Sequence, residues 1–419
     1  MTPKLTTLDS GLRVVSYRMP QLQTTSLGIW VKAGARNETA AQNGIAHYLE
    51  HMAFKGTSKR NALQIAEEIE DVGGEINAST SMEMTAYYAR VLKDDAPLAI
   101  DILSDIILDP KFDENELERE RGVILQEIAA SIDTPDDLVF DLAQKAAYPD
   151  HPLGRPILGS AEAVSQYDGA AIAAYRDQHY AAPSILVSAA GAIEHDELVE
   201  LARSALAALP TVAGPKWDGA QYGGGVHLVE KPLEQTHVVL SFKGPGYHSE
   251  DIYALQVLSG ILGGGMSSRL FQEVREKRGL CYSIFAYASA YEDTGLINVY
   301  AATGPRETGE LVDVVSEQLR TIARTVSEAE VKRARTQLKA GLMMSLESSS
   351  ARANQIARQL LLYNRVVSPE EIIEKIDAVD VAAISDLASR LFERTRPSLG
   401  AVGDLSGLAS YDQIAAQFA

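Results

Sequence analysis

The sequence predicts an α+β fold of two duplicated domains, each a mixed β-sheet flanked by helices. Three observations predict it. Segments of strand and helix character alternate along 419 residues, a length that suits two domains of about 200 residues better than one. Stretches of the first half are echoed in the second at a nearly constant offset. Between them, a run of turn formers extends from Pro210 and Pro215 to Gly223-Gly224-Gly225. The expected boundaries are an N-terminal domain at 1–212, a linker at 213–225 and a C-terminal domain at 226–419.

Residues 12–19 and 25–34 are predicted strands, rich in Val, Ile and Trp and joined by a Pro-containing turn. Asn43 as N-cap and Gly56 as C′ residue delimit a helix of about three turns. A helix over 61–72 carries Ile65, Ile69 and Val72 on one side and stops at Gly73-Gly74. Residues 75–81 and 84–92 are β-rich, and 96–109, 113–131 and 134–148 are helical. The loop Pro149-Asp150-His151-Pro152 follows. One helix over 160–180, a strand over 184–190 and a helix over 195–208 complete the half. The second half then restarts. Residues 236–244 echo 25–34, with an offset of 211 between Lys32 and Lys243, and 397–403 echo 183–191, with an offset of 214 between Ser184 and Ser398. Gly263-Gly264-Gly265-Met266 lacks the lysine of a phosphate loop and follows a helix, so it is a turn between helices.

The 46% hydrophobic content is ample for buried cores, and no stretch approaches the roughly 18 consecutive apolar residues of a membrane span. The N-terminus has neither an apolar signal core nor an Arg-rich leader, so a cytoplasmic bacterial protein is expected. Cys281 is the only cysteine, which excludes an intrachain disulfide and a thiolate metal cluster. A net charge of −19, from 38 basic and 57 acidic residues, argues against nucleic-acid binding. It suits solubility or the attraction of basic peptides equally.

The chemistry concentrates in His47-Tyr48-Leu49-Glu50-His51, which reads H-x-x-E-H. Positions four apart on a helix share a face, so His47 and His51 point the same way with Glu50 beside them. Two such imidazoles can hold zinc, and the carboxylate can take a proton from water held at the metal. A third ligand is expected on another helix. The acidic segment opening at Asp113 offers Glu120 and Glu127, which are two turns apart on one face. The corresponding helix of the second half reads Leu255-Gln256-Val257-Leu258-Ser259 where ligands would stand, so a single metal site per chain is expected.

With these residues the chain resembles the pitrilysin group of zinc metallopeptidases, in particular the processing-peptidase β subunits and their bacterial relatives. The resemblance implies a third zinc ligand 76 residues after His51, at Glu127, and an auxiliary glutamate seven residues earlier, at Glu120. It implies Glu50 as general base. It implies that Arg275 and Tyr282 in the second half hold the substrate backbone and donate to the oxyanion. It implies that Asn77 and Ala78 contact a peptide added as a strand, and that Asp137 and Asp141 receive an arginine near the cleavage site. The family usually has Glu at the first of these two positions, so Asp137 is a shorter reach. The resemblance also implies a closed chamber built by two chains, with Arg275 and Tyr282 serving the zinc site of a neighbour. A homodimer is expected, and a heterodimer with an inactive homologue is the alternative partner. The function this implies is zinc-dependent endoproteolysis of extended, basic, presequence-like peptides. A non-catalytic subunit of a heteromeric complex is the alternative, although such subunits lose ligands that are all present here. S-ribosylhomocysteinase carries a similar pentad, but it is one short domain with a Cys ligand.

Overall fold

The computed structural model describes residues 2–215 and 217–419. Each half contributes one sheet. The first contains β1 (Lys4–Thr7), β2 (Arg13–Arg18), β3 (Thr24–Val31), β4 (Glu75–Thr80), β5 (Thr85–Leu92) and β6 (Ile185–Gly191), in the order β1-β2-β6-β3-β5-β4. The second contains β7 (Gly225–Glu230), β8 (Thr236–Gly244), β9 (Cys281–Ala290), β10 (Gly295–Thr303) and β11 (Ser398–Gly403), in the order β7-β11-β8-β10-β9. Matching β2, β6, β3, β5 and β4 to β7, β11, β8, β10 and β9 reproduces both the order and the strand senses. In each sheet the first matched pair is parallel and the rest are antiparallel. The echo at offset 211 is therefore β3 against β8, and the echo at 214 is β6 against β11. This is a duplicated α+β domain, as the sequence pattern predicts, with β1 as an addition to the first copy.

The helices of the first half are α1 (Ile45–Ala53), α2 (Ala62–Glu70), α3 (Ala96–Leu108), α4 (Glu114–Asp133), α5 (Pro135–Ala147), α6 (Ala161–Val164), α7 (Gly169–His179) and α8 (His195–Ala205). Those of the second are α9 (Ile252–Gly263), α10 (Thr308–Thr325), α11 (Glu328–Ser345), α12 (Ser349–Tyr363), α13 (Pro369–Asp377), α14 (Val381–Phe392) and α15 (Tyr411–Ala416). The helix expected over 160–180 is two, because the Asp168 side chain accepts from Ala171 N at 2.8 Å and starts a new helix there. Among the described residues no helix is long and apolar enough to cross a membrane.

The chain forms two compact units that follow the halves except for an exchange. Unit 1 comprises 1–129, 156–218 and 344–366, and unit 2 comprises 130–155, 219–343 and 367–419. Thus α12 from the second half packs on β6, β3 and β2, while α5 from the first half packs on β11, β8 and β7. The unit boundary at 218 and 219 falls inside the expected linker. The exchange explains why β3 is buried along nearly its whole length. Leu27, Ile29 and Val31 face the unit-1 core on the side where α3 packs on β3, and Trp30 faces Ile356 and Leu360 of α12. In unit 2, Val139 and Ala143 of α5 lie on Val239, Tyr300 and Val402. Gly400 permits this approach, since a Cβ there would stand 2.6 Å from Ala143 N and 2.7 Å from Val139 O.

Near the unit-1 side of the boundary, buried Arg36 pairs with Glu83 at 2.6 Å, donates to Asp218 O at 3.0 Å and lies 5.1 Å from the Trp217 ring. Glu83→Ala is expected to destabilise the protein, because it removes a carboxylate that pairs with a buried guanidinium at 2.6 Å. Denaturant unfolding followed by Trp fluorescence checks this.

Candidate metal centre

The site is built on α1. Ile45, Leu49 and Met52 are buried in the unit-1 core, which turns His47, Glu50 and His51 away from it. The start of α1 differs from expectation. Asn43 is not the cap. Gly44 takes that position in the left-handed region, at φ 92°. Buried Glu38 accepts from Gly44 N and Ala46 N at 2.9 Å each, and Asn43 Nδ2 donates to Glu38 at 3.2 Å. A carboxylate there satisfies two helix-end N–H groups and sits at the positive end of the helix dipole. The Tyr48 hydroxyl donates to Leu117 O at 2.6 Å and fixes α1 against α4.

That register delivers both glutamates of α4. Glu120 is buried and accepts at 2.9 Å from His51 Nδ1, while its other oxygen lies 2.8 Å from Lys55 Nζ. Glu127 Oε2 lies 3.7 Å from His47 Nε2 and 3.5 Å from His51 Nε2. Ligand atoms of His47, His51 and Glu127 all fall within 4.8 Å of one another. Tetrahedral zinc with bonds of about 2.0–2.1 Å sets its ligands about 3.3–3.5 Å apart, so the spacing fits one ion. The hydrogen bonding fits too. Glu127 Oε2 is shut off from solvent without a hydrogen-bond partner, which is costly unless a cation takes it up. Burial, with His51 adding to it, pulls His47 down to about 4, so its imidazole is neutral and able to ligate at ordinary pH.

Glu50 is pushed up by burial, and the Thr80 hydroxyl, which donates to Glu50 Oε2, opposes that shift. Thr80 ends β4, an edge strand of the sheet. Ser81 N donates to Met84 O at 2.8 Å, and β4 pairs with β5 in the register Thr80 to Thr85. The alternation of an antiparallel ladder therefore directs the peptide groups of Ile76, Ala78 and Thr80 outward to the free edge. Asn77 and Ala78 lie on this strand, and Asn77 Oδ1 accepts from the outward Ala78 N–H at 2.8 Å. A cavity of about 830 Å³ adjoins the other face of β4, lined by Asn77, Ser79, Trp30 and Tyr88 among others.

The remaining expected residues belong to unit 2. Arg275 lies in a π-helical turn, Phe271–Glu276, and its guanidinium stacks 4.6 Å from both the Phe271 and Tyr282 rings. Tyr282 is 78% exposed near the start of β9, which is an edge strand. Asp137 and Asp141 lie on α5. Burial, with Asp137 adding to it, pushes Asp141 up to about 6. The matching helix α9 is largely buried and apolar, with Leu255 and Leu258 fully enclosed.

Reading the sequence alone does not find Thr80, Lys55 or Glu38. A signal exists for Thr80, which lies two residues after Ala78 and so on the same strand face. Glu38 has no local signal, since eight residues separate it from the N–H of Ala46 that it accepts.

The family model described as insulinase, peptidase family M16, matches residues 13–161. That of the peptidase M16 inactive domain matches 168–338. An uncharacterized zinc protease of Rickettsia felis is 39% identical over 402 residues, covering 96% of this chain and 98% of its own. The uncharacterized zinc protease YmxG of Bacillus subtilis is 38% identical over 400 residues, covering 92% and 95%. The chain belongs to peptidase family M16. It is a zinc metalloprotease, and its fold is shared with chains in solved structures. A protease from Helicobacter pylori matches with a TM-score of 0.90 at 23% identity, over 96% of this chain and 99% of that one. A chain of complex III2 from Candida albicans matches with a TM-score of 0.86 at 22% identity, over 99% of each.

In this M16 protein, Gly44→Ala is expected to lower zinc content and stability together. An added Cβ would stand 2.7 Å from Gly159 Cα and Leu158 O, at a φ that side chains avoid. Metal analysis beside thermal melting checks this. The zinc-free protein should also lose stability in acid. His47 and His179 both titrate near 4 when folded and about 6.5 when unfolded, each mainly through burial. The stability contributed by their neutral burial is complete above about 6.5 and is lost as pH falls through about 4. Urea midpoints across pH 7.5 to 4.5 check the direction.

Proposed function

We propose that this M16 zinc protease is an endopeptidase whose metal is held by His47, His51 and Glu127. The observation that carries the reading is the convergence of these three side chains around an unpartnered, enclosed carboxylate oxygen. Zinc held by His47, His51 and Glu127 would supply Lewis acidity to a peptide carbonyl and would acidify the attacking water. Glu50 accepts the proton of that water and passes it to the leaving amine. Glu120 accepts from His51 Nδ1 and so fixes the ring orientation that directs Nε2 at the metal. Lys55, on the other oxygen, balances the charge of Glu120.

The peptide extends β4 as an added strand, using the outward peptide groups of Ala78 and its neighbours. Asn77 must then release the Ala78 N–H. Asp137 and Asp141 favour a basic residue in the peptide, and a nearby guanidinium would return Asp141 to its ionised form. The active form is a cytoplasmic homodimer, in which Arg275 holds the substrate backbone and Tyr282 donates to the oxyanion at the zinc site of the neighbouring chain. The stacked pair with its exposed phenol supports this role.

Glu50→Gln is expected to retain one zinc per chain and lower kcat for a basic, extended peptide by about 10²–10⁴, while His51→Ala loses the metal. Mass spectrometry of the products and metal analysis decide both, and a Glu50→Gln variant cutting at the wild-type rate would remove the general-base assignment. The shared-site geometry has its own test. Glu50→Gln and Tyr282→Phe chains, each inactive alone, should regain about a quarter of wild-type activity when mixed, because half the dimers then hold one intact site. No recovery on subunit exchange places Tyr282 at the site of its own chain.

A further inference from the structure

Thr80 meets the Glu50 carboxylate twice: its hydroxyl donates to Oε2, and its backbone N–H also helps hold the carboxylate in its charged form. Glu50 is on α1 and Thr80 on β4, so the contact joins the helix that carries the histidines to the strand whose free edge faces solvent. Thr80 lies on the β4 face that turns toward α1, in phase with Ile76 and Ala78, both of which pack on the unit-1 core. Its own peptide group points outward along the edge, in line with that of Ala78.

We infer that Thr80 is a positioning residue for Glu50. It holds Oε2, and it ties the orientation of the base to the strand on which the peptide lies. This rests on Glu50 as the base. A carboxylate on a side chain with three rotatable bonds otherwise samples several orientations, and only a fraction of them serves proton transfer. Thr80 removes that freedom without adding charge. Because its backbone belongs to the edge that receives the peptide, a peptide seated in register meets a base already aimed. Ser at position 80 preserves the donor. Val keeps the β-branched shape and deletes the donor.

The experiment compares Thr80→Val and Thr80→Ser in the full-length, zinc-loaded protein, with a basic, extended synthetic peptide as substrate. Thr80→Val is expected to lower kcat by about 10- to 100-fold with KM within about threefold, and with unchanged zinc stoichiometry and melting temperature. Thr80→Ser is expected to recover most of kcat. A second readout needs no activity. In zinc-free, ¹³C-Glu-labelled protein, the carboxyl resonance that disappears in Glu50→Gln should shift in Thr80→Val and return in Thr80→Ser. Wild-type kcat in Thr80→Val overturns the inference, as does an equal loss in both variants or an unmoved Glu50 resonance. If the resonance moves as expected but the wild-type protein cuts no peptide, the Thr80 contact stands and the endopeptidase reading of the site falls instead.

Discussion

The burial of one face of α1 is the constraint from which the site follows. Ile45, Leu49 and Met52 enter the unit-1 core, and their burial leaves the helix one way to sit. With 3.6 residues per turn, His47, Glu50 and His51 must then emerge on the opposite side. Two polar anchors fix what apolar packing leaves loose. Glu38 holds the start of the helix through the N–H groups of Gly44 and Ala46, and Tyr48 pins it to the carbonyl of Leu117. Apolar contact is non-directional and tolerates sliding, whereas these hydrogen bonds do not.

The second α4 glutamate shows why this precision matters. Glu127 offers an oxygen that has no hydrogen-bond partner and no access to solvent. An ordinary fold would not retain such an atom, because its desolvation goes uncompensated. It is maintained here by α4, whose buried Leu117 and Ile124 hold the helix while Glu120 meets His51 and Lys55 two turns away on the same face. A cation at the proposed site would take up that oxygen.

Duplication supplied both halves of the fold, and their divergence lies in the helix that follows the first sheet strand pair. In the first half α1 keeps one polar face. In the second, α9 is apolar almost all round and is buried accordingly. The sheet order and strand senses are the same in both halves, while Leu255 and its neighbours stand where α1 carries the proposed ligands. The exchange of α5 and α12 gives each sheet a cover drawn from the opposite half of the sequence, which makes β3 and its counterpart strands apolar on both faces.

Local and periodic features were legible in the sequence. The α+β class, the repeat at offsets of 211 and 214, the H-x-x-E-H helix and the shared face of Glu120 and Glu127 all follow from short-range spacing, and spacing is a property of the chain itself. Helix ends were less legible. Asn43 has the chemistry of a cap, but Glu38 competes for the same N–H groups from five residues upstream. What tertiary structure alone decided is long-range. The exchange of α5 and α12, the meeting of Lys55 with Glu120, and the donation of Thr80 to Glu50 join segments whose neighbours in sequence give no sign of the contact. A side chain's type and its period declare which face it occupies. Which distant atom waits on that face is set by how whole elements pack, and that depends on the sum of many weak contacts.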